Sequence, residues 1–400
     1  MGRCTPSHRP PEVERFVARP SPAGRETAAA RTVFDAGPGA RLREKSRRAL
    51  SAQPRGEPRV SVLPSTDQNN SMRSISIVLC TFNGARFLDE QLRSLRCQEG
   101  VDEIVAVDDQ SADDTMAVLN QHASEEARMR VHWNERRLGV VRNFEQAIRL
   151  ARGDWIALSD QDDIWVPEKI ARLRAAWDGV SCLMHHATRK FRGTPPRVLP
   201  ARAGESRKYH GDDARRLLYR NSIVGHTTLV RADVARRLLP FPEAVPHDWW
   251  IGAGAALQGP VHYVDEYLVH YRIHETNAYH RAGSRLHRLR AEHRLRLALL
   301  EGLDARPELA GGLRPFVRDY RDLLRAAAPG RFSWSLERFY WRHAALFFGD
   351  GGASPPLVRR LRKTAAATLA AAAQRPGVPA SGGGVFGELA ARPRGVARSC

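Results

Sequence analysis

Between residues 75 and 177, apolar runs of strand length alternate with helix-length amphipathic segments, and this alternation restricts the fold more than any other feature. Strand-like runs cover 75–79, 103–107, 130–133 and 155–158. A helix follows each. The first carries Leu88, Leu92 and Leu95 on one face, with Gly100 as its C-cap. The second starts near Asp113, whose carboxylate can cap it, and the third spans 139–151. The fourth follows Pro167 and places Ile170, Leu173 and Trp177 at helical spacing. Repeated strand–helix units predict an α/β fold, a mostly parallel sheet with helices on both faces.

Such sheets bind ligands outside the carboxyl ends of their strands. Three polar clusters fall there: 81–84, 108–111 and 160–163. Uncompensated acids at the mouth of a buried strand cost free energy. The natural compensation is a hard cation, which takes oxygen ligands from carboxylates and phosphates. Asp160 and Asp162 are therefore expected to hold Mg2+ or Mn2+ against a diphosphate, with Asp163 and Trp165 beside them as ligand contacts, or Asp163 merely capping the next helix. Asp108 and Asp109 either accept hydrogen bonds from a base or ribose or form an Asx turn. Thr81 and Asn83 would shape that nucleotide pocket, although an ordinary strand-to-helix turn also explains Asn83-Gly84.

Further along, His247-Asp248-Trp249-Trp250 opens an Ala- and Gly-rich helix. Asp248 is a candidate general base, or a dipole-favoured cap, while His247 and the two Trp rings would face a sugar or exclude water. Short strands are expected at 181–185, 227–231 and 267–272. His274 follows the last of these as a phosphate or metal contact, whereas His270 reads as structural and Asn277 as a weaker candidate. A basic helix over 285–303 carries Leu286, Leu289, Leu297 and Leu300, and another helix covers 313–327. Their basic faces are either solvated or rest on an anionic membrane surface.

The chain has Lys+Arg 63 against Asp+Glu 44, a net charge of +19 that favours polyanions, acidic membranes or phosphorylated small molecules. Residues 1–72 contribute 12 Arg, 9 Pro and one Lys with little periodicity, which predicts a disordered extension. Translation beginning at Met72 would remove it. Five cysteines without paired spacing give neither a disulfide framework nor a zinc site, so a reducing, cytoplasmic setting is expected, with peripheral contact at the inner face of the membrane as its elaboration. No apolar run approaches the ~18–20 residues of a membrane span, and no signal peptide is visible. The expected units are 73–178 (nucleotide side), 179–280 (acceptor side), 281–348 (helical extension) and 349–400 (largely disordered tail).

The motifs also recur in a familiar order. Thr81-Phe82-Asn83-Gly84, Val107-Asp108-Asp109-Gln110-Ser111 with Asp114-Thr115, Leu138-Gly139, Ala151-Arg152-Gly153-Asp154 and Ser159-Asp160-Gln161-Asp162-Asp163-Ile164-Trp165 resemble the family 2 glycosyltransferases. His247-Asp248-Trp249-Trp250 and Tyr271-Arg272-Ile273-His274 look like that family's acceptor-side motifs, and the Ser-Asp-Gln-Asp-Asp-Ile-Trp form is similar to its rhamnosyltransferase-like branch. The resemblance implies a GT-A fold and inverting sugar transfer from a nucleotide-sugar to a glycan or lipid-linked oligosaccharide. It implies Asp109 near the nucleoside with Asp108 assisting, Asp160 and Asp162 at the metal, and Asp248 as base. Phe82 departs from the family's usual Tyr, removing one hydroxyl.

Two other classes compete. A nucleotidyltransferase would also use metal-bound carboxylates, but calls for a Gly-rich loop with Arg and Lys that 81–84 lacks. A non-catalytic basic protein would bind membrane or nucleic acid through 285–345, and no nucleic-acid partner is expected from the enzyme reading.

Overall fold

The computed structural model describes residues 72–197, 199–200, 202–204, 208–275, 285–327 and 332–348. The Arg/Pro-rich extension up to residue 71, the tail from 349 and Asn277 lie outside the described residues. Strands β1 (Ile75–Thr81), β2 (Glu103–Asp108), β3 (Met129–Trp133) and β4 (Trp155–Ser159) alternate with helices α1 (Ala85–Arg96), α2 (Thr115–Glu125) and α3 (Val140–Leu150). Next come β5 (Ile164–Trp165), α4 (Lys169–Ala176), β6 (Leu183–Phe191), α5 (Arg215–Tyr219), β7 (Leu229–Arg231), α6 (Ala232–Arg237), α7 (His247–Ala256) and β8 (Val261–Arg272). Five helices follow: α8 (Arg285–Asp304), α9 (Pro307–Ala310), α10 (Arg314–Ala326), α11 (Trp334–Arg342) and α12 (Ala344–Phe348).

Side chains alternate across a strand, so each buried strand feeds two cores. Val78, Val105, Val107, Ile156 and Leu158 pack with Phe144, Ala147 and Ile148 of α3 and with α7. Their neighbours Ile77, Leu79, Ile104, Ala106 and Ala157 point the other way, onto Leu88, Leu92 and Leu95 of α1, Leu119 of α2 and Ile170 and Leu173 of α4. The sheet is thus covered on both faces, as expected of parallel strands. Its order is β3-β2-β1-β4-β7-β6-β8-β5. The first four strands are parallel, β7 is antiparallel to both β4 and β6, and β8 is parallel to β6. One sheet therefore crosses the expected boundary at 178/179.

This topology decides what reaches the functional edge. The carboxyl ends of β1, β2, β4 and β8 lie on the same side. Because β7 runs against them, the segment that enters β7, a turn of 3₁₀ helix at Gly225–Thr227, arrives at that edge too.

Some expected boundaries move. Helix α1 ends at Arg96 with Cys97 as its cap, and Gly100 sits later, in the turn, at φ 71°. Trp177 caps α4 rather than belonging to it and packs edge-on against Trp155 at 5.5 Å. β8 begins at Val261 instead of near 267, because a bulge opposite His186 and Ala187 breaks the two-residue period. In α8, Leu299, Leu300 and Leu303 enter the α3/α7 core, and buried Arg296 donates from Nε to the Tyr219 carbonyl at 2.6 Å. The centre of that basic helix is packed inward. Leu286 and Leu289 lie where side chains are not described. No helix among the described residues is long and apolar enough to cross a membrane.

Candidate active site at the sheet edge

Asp108 and Asp109, at the end of β2, are buried and held by protein donors. Asp108 accepts from Thr81 Oγ1 at 2.8 Å and from Ser111 N and Oγ at 2.8 and 2.6 Å. Asp109 accepts from Asn134 Nδ2, Leu138 N and Gly139 N at 3.0, 2.6 and 2.8 Å. Negative charge just before α3 suits the positive end of that helix. Asn83 adopts φ 49°, and its side-chain oxygen accepts from Ala112 N at 2.8 Å, so it locks the first loop onto the second. Thr81 and Asn83 thus tie loops together, through their side chains and through the Thr81 carbonyl and Asn83 N–H, which bond Asp109 N and Ser111 Oγ.

The turn after β4 is built differently. Gln161 Nε2 donates to the Phe82 carbonyl and its Oε1 accepts from Phe82 N at 2.8 Å, clasping this turn to the first loop. Asp160 is half-exposed, and its Oδ2 lies 3.1 Å from His226 Nδ1. The same nitrogen lies 3.1 Å from Oδ2 of the fully buried Asp163, an oxygen without a hydrogen bond of good geometry. Asp163 Oδ1 accepts from Arg272 N at 3.1 Å. Asp162 Oδ2 faces His274 Nε2 at 2.8 Å, and His274 packs on Phe87.

Burial pushes Asp163 up to about 7, with Asp162 and Asp160 adding to it against the pull of His226. Burial and the Asp160 charge also raise Asp162. Burial would lower His226, but Asp163 and Asp160 outweigh it and lift the imidazole above its usual range. Three acids share two imidazoles and one backbone N–H, and a cation would relieve the repulsion that remains among them. Asp160, Asp163 and His226 present ligand atoms within 4.8 Å of one another and could hold a metal ion. Asp162 belongs to the same turn but is directed to His274.

Helix α7 brings in Asp248. Burial raises its carboxyl despite His247, and Asp160 and His226 both act on it electrostatically. A Cβ on Gly225 would stand 3.0 Å from His247 Nε2 and 3.7 Å from Asp248 Cβ, so the 225–227 turn packs directly on the start of α7. His247 stacks on Phe144 at 3.9 Å.

The Trp residues take other roles. Trp249 Nε1 donates to the Leu217 carbonyl and Trp250 Nε1 to the Leu238 carbonyl, both in the core, so the expectation that these rings face a sugar gives way to packing. Trp165 is likewise buried, under Lys169. Helix α7 is buried at every position from Asp248 to Ala256, so both indoles pack into the core although they follow an acid in sequence. His226 was missed by the sequence reading. Its signal, a Gly-His pair opening a β-branched strand, does not follow a strand end and so falls outside the rule that located the other clusters.

Residues 76–239 match the model of Glycosyl transferase family 2. An uncharacterized protein of Mycobacterium tuberculosis is 26% identical over 218 residues, 52% of this chain and 61% of that one. An uncharacterized glycosyltransferase of Haemophilus influenzae is 24% identical over 213 residues, 50% of this chain and 65% of its own length. The crystal structure of S. aureus TarS 1–349 in complex with UDP-GlcNAc shares 17% identity over 75% of this chain and 90% of that one, with a TM-score of 0.45. The chain thus spans about three fifths of the length of such curated relatives. The stretch matched to that family model contains β2 to β7 and the acidic turn after β4, whereas α7 and β8 lie beyond it.

Proposed function

We propose that the protein is a metal-dependent inverting glycosyltransferase with a GT-A-type fold, moving a sugar from a nucleoside-diphosphate sugar to a glycan or lipid-linked acceptor in cell-surface polysaccharide synthesis. Rhamnose is the donor sugar favoured by the Ser-Asp-Gln-Asp-Asp-Ile-Trp motif. One observation carries the reading: a cation-starved carboxylate–histidine cluster within the stretch that matches the family 2 model, and a buried Asp at the helix start just beyond it, meet across a single turn.

Asp160, with Asp162 and Asp163 on its turn and His226 and His274 opposite, would hold Mg2+ or Mn2+. Such an ion neutralises charge developing on a departing diphosphate. The first two loops would cradle the nucleoside, with Asp109 and Asp108 fixing their shape. Asp248 would take the proton from the acceptor hydroxyl as its oxygen bonds to the anomeric carbon, while the carbon–oxygen bond to the diphosphate breaks on the opposite face. Burial favours that role, since a raised carboxyl is a stronger base near neutral pH.

A panel of UDP-, GDP- and dTDP-sugars, assayed for hydrolysis with Mn2+ and with chelator, tests the proposal. Metal-dependent release of one nucleotide is expected, and no turnover of any donor would sink it. Asp248→Asn should lose transfer while keeping donor affinity.

A further inference from the structure

Lys169 is the first residue of α4 and is completely buried. Its Nζ donates to the His226 carbonyl at 2.8 Å, across 57 residues of sequence, and sits 3.2 Å from the centre of the Trp165 ring. A buried lysine is costly, since burial outweighs the pull of Asp163 and Asp160 on its amine, and a methionine would fill the same space without that cost. Packing therefore does not account for it. Position does. Its hydrogen bond holds the backbone of the residue whose ring lies between Asp160 and Asp163. The ring itself stacks on Tyr271 at 5.1 Å, and the preceding Gly225 supports His247 and Asp248. A shift of this one turn would displace the imidazole from the acids and remove the floor beneath Asp248.

We propose that Lys169 is the positioning residue of the cation site, an internal strut that pins the 225–227 turn so that His226 stays registered with Asp160 and Asp163. This rests on the metal-dependent reading above. It adds that the site is set from behind by a group that touches neither donor nor acceptor. An amine can donate to a carbonyl whether or not it is protonated, so the strut needs only the donor.

Mn2+ alone is titrated into the full-length chain and followed by electron paramagnetic resonance, with melting temperature measured in parallel. Lys169→Met should fold at least as stably as wild type, yet bind Mn2+ tenfold or more weakly. Lys169→Arg, which keeps a donor, should bind within threefold of wild type. A merely structural lysine predicts the reverse pattern, lost stability with unchanged Mn2+ affinity in the folded variant, and that result overturns the proposal. If Lys169→Met does not fold, Lys169→Leu, which likewise has no donor, decides: wild-type Mn2+ affinity would rule the strut out and tenfold weaker binding would support it. Failure of the underlying reading is distinct, since the wild-type chain would then bind no Mn2+ at all.

Discussion

Two acidic clusters stand at the same sheet edge, and the molecule treats them in opposite ways. At the end of β2, Asp108 and Asp109 each accept three hydrogen bonds from protein donors. After β4, Asp160 and Asp162 have one imidazole apiece, and Asp163 has a single backbone N–H and a shared imidazole. The first arrangement spends carboxylates on structure. The second leaves its carboxylates with two imidazoles and one backbone N–H among them. Similar acid-rich sequence at equivalent strand ends thus yields a fully bonded scaffold in one case and, on the function proposed above, the cation site in the other.

If that contrast is right, activity and stability should separate between the clusters. Asp160→Ala and Asp162→Ala should each cut donor turnover by roughly a thousandfold, about 4 kcal/mol of barrier, because the removed charge is used at the reacting diphosphate. For Asp162→Ala the melting temperature should hold or rise, as repulsion from Asp160 is relieved, whereas Asp160→Ala gives up the pairing with His226 that lowers its carboxyl and should lose only a little. Equal thermal damage from these and from the β2 pair would erase the distinction.

Asp109→Ala should behave conversely. It removes the acceptor from the half-buried Leu138 N and Gly139 N and one of two acceptors from the buried Asn134 Nδ2, and an abandoned buried donor costs about 1–3 kcal/mol. A loss of about 3 kcal/mol or more in chemical unfolding is expected. Wild-type stability in that variant would show that its carboxylate is not needed by the fold and faces a ligand after all.

The sequence pattern made the parallel strands and three of the edge clusters legible, since apolar runs of strand length ending in polar clusters need no long-range information. It could not separate the two acidic clusters, because the donors that saturate Asp109 come from Asn134, Leu138 and Gly139, beyond the next strand. Nor could it place His226 or Lys169. Both acquire their roles from an antiparallel strand, whose leading rather than trailing end meets the edge, and from a contact between residues far apart in sequence. Trp249 and Trp250 misled for a related reason: only the packed fold shows α7 buried at every position from Asp248 to Ala256.

A pH series sharpens the contrast at smaller scale. Asp163 is pushed up to about 7 from an ordinary 3.8, so between these values the folded chain holds a proton that the unfolded chain has released. Stability from this group is therefore full below about 4 and falls as pH rises toward 7. His226, raised above 6.5, acts in the same sense: its contribution is lost as pH rises through its folded value. Without added metal, the wild-type melting temperature should fall relative to Asp163→Asn between pH 5 and 8. Adding Mn2+ should flatten the difference, and parallel curves throughout would contradict the cation-starved description.

The smallest expected effect lies at the joint between the clusters. Gln161 leaves the acidic turn to bond the Phe82 backbone in both directions, and a Cβ on Gly84 would collide with its Oε1. Gly84→Ala must therefore push the amide away and break the clasp, while Gln161→Ala removes it without crowding. Each should cost about 1–2 kcal/mol, the scale of two modest hydrogen bonds. Because the clasp sets the spacing between the nucleoside-side loop and the acids, both variants should raise the donor KM by a few fold with kcat nearly intact. A fall in kcat alone would mean that the two clusters act on the reaction independently, and that the scaffold cluster has no part in placing the donor.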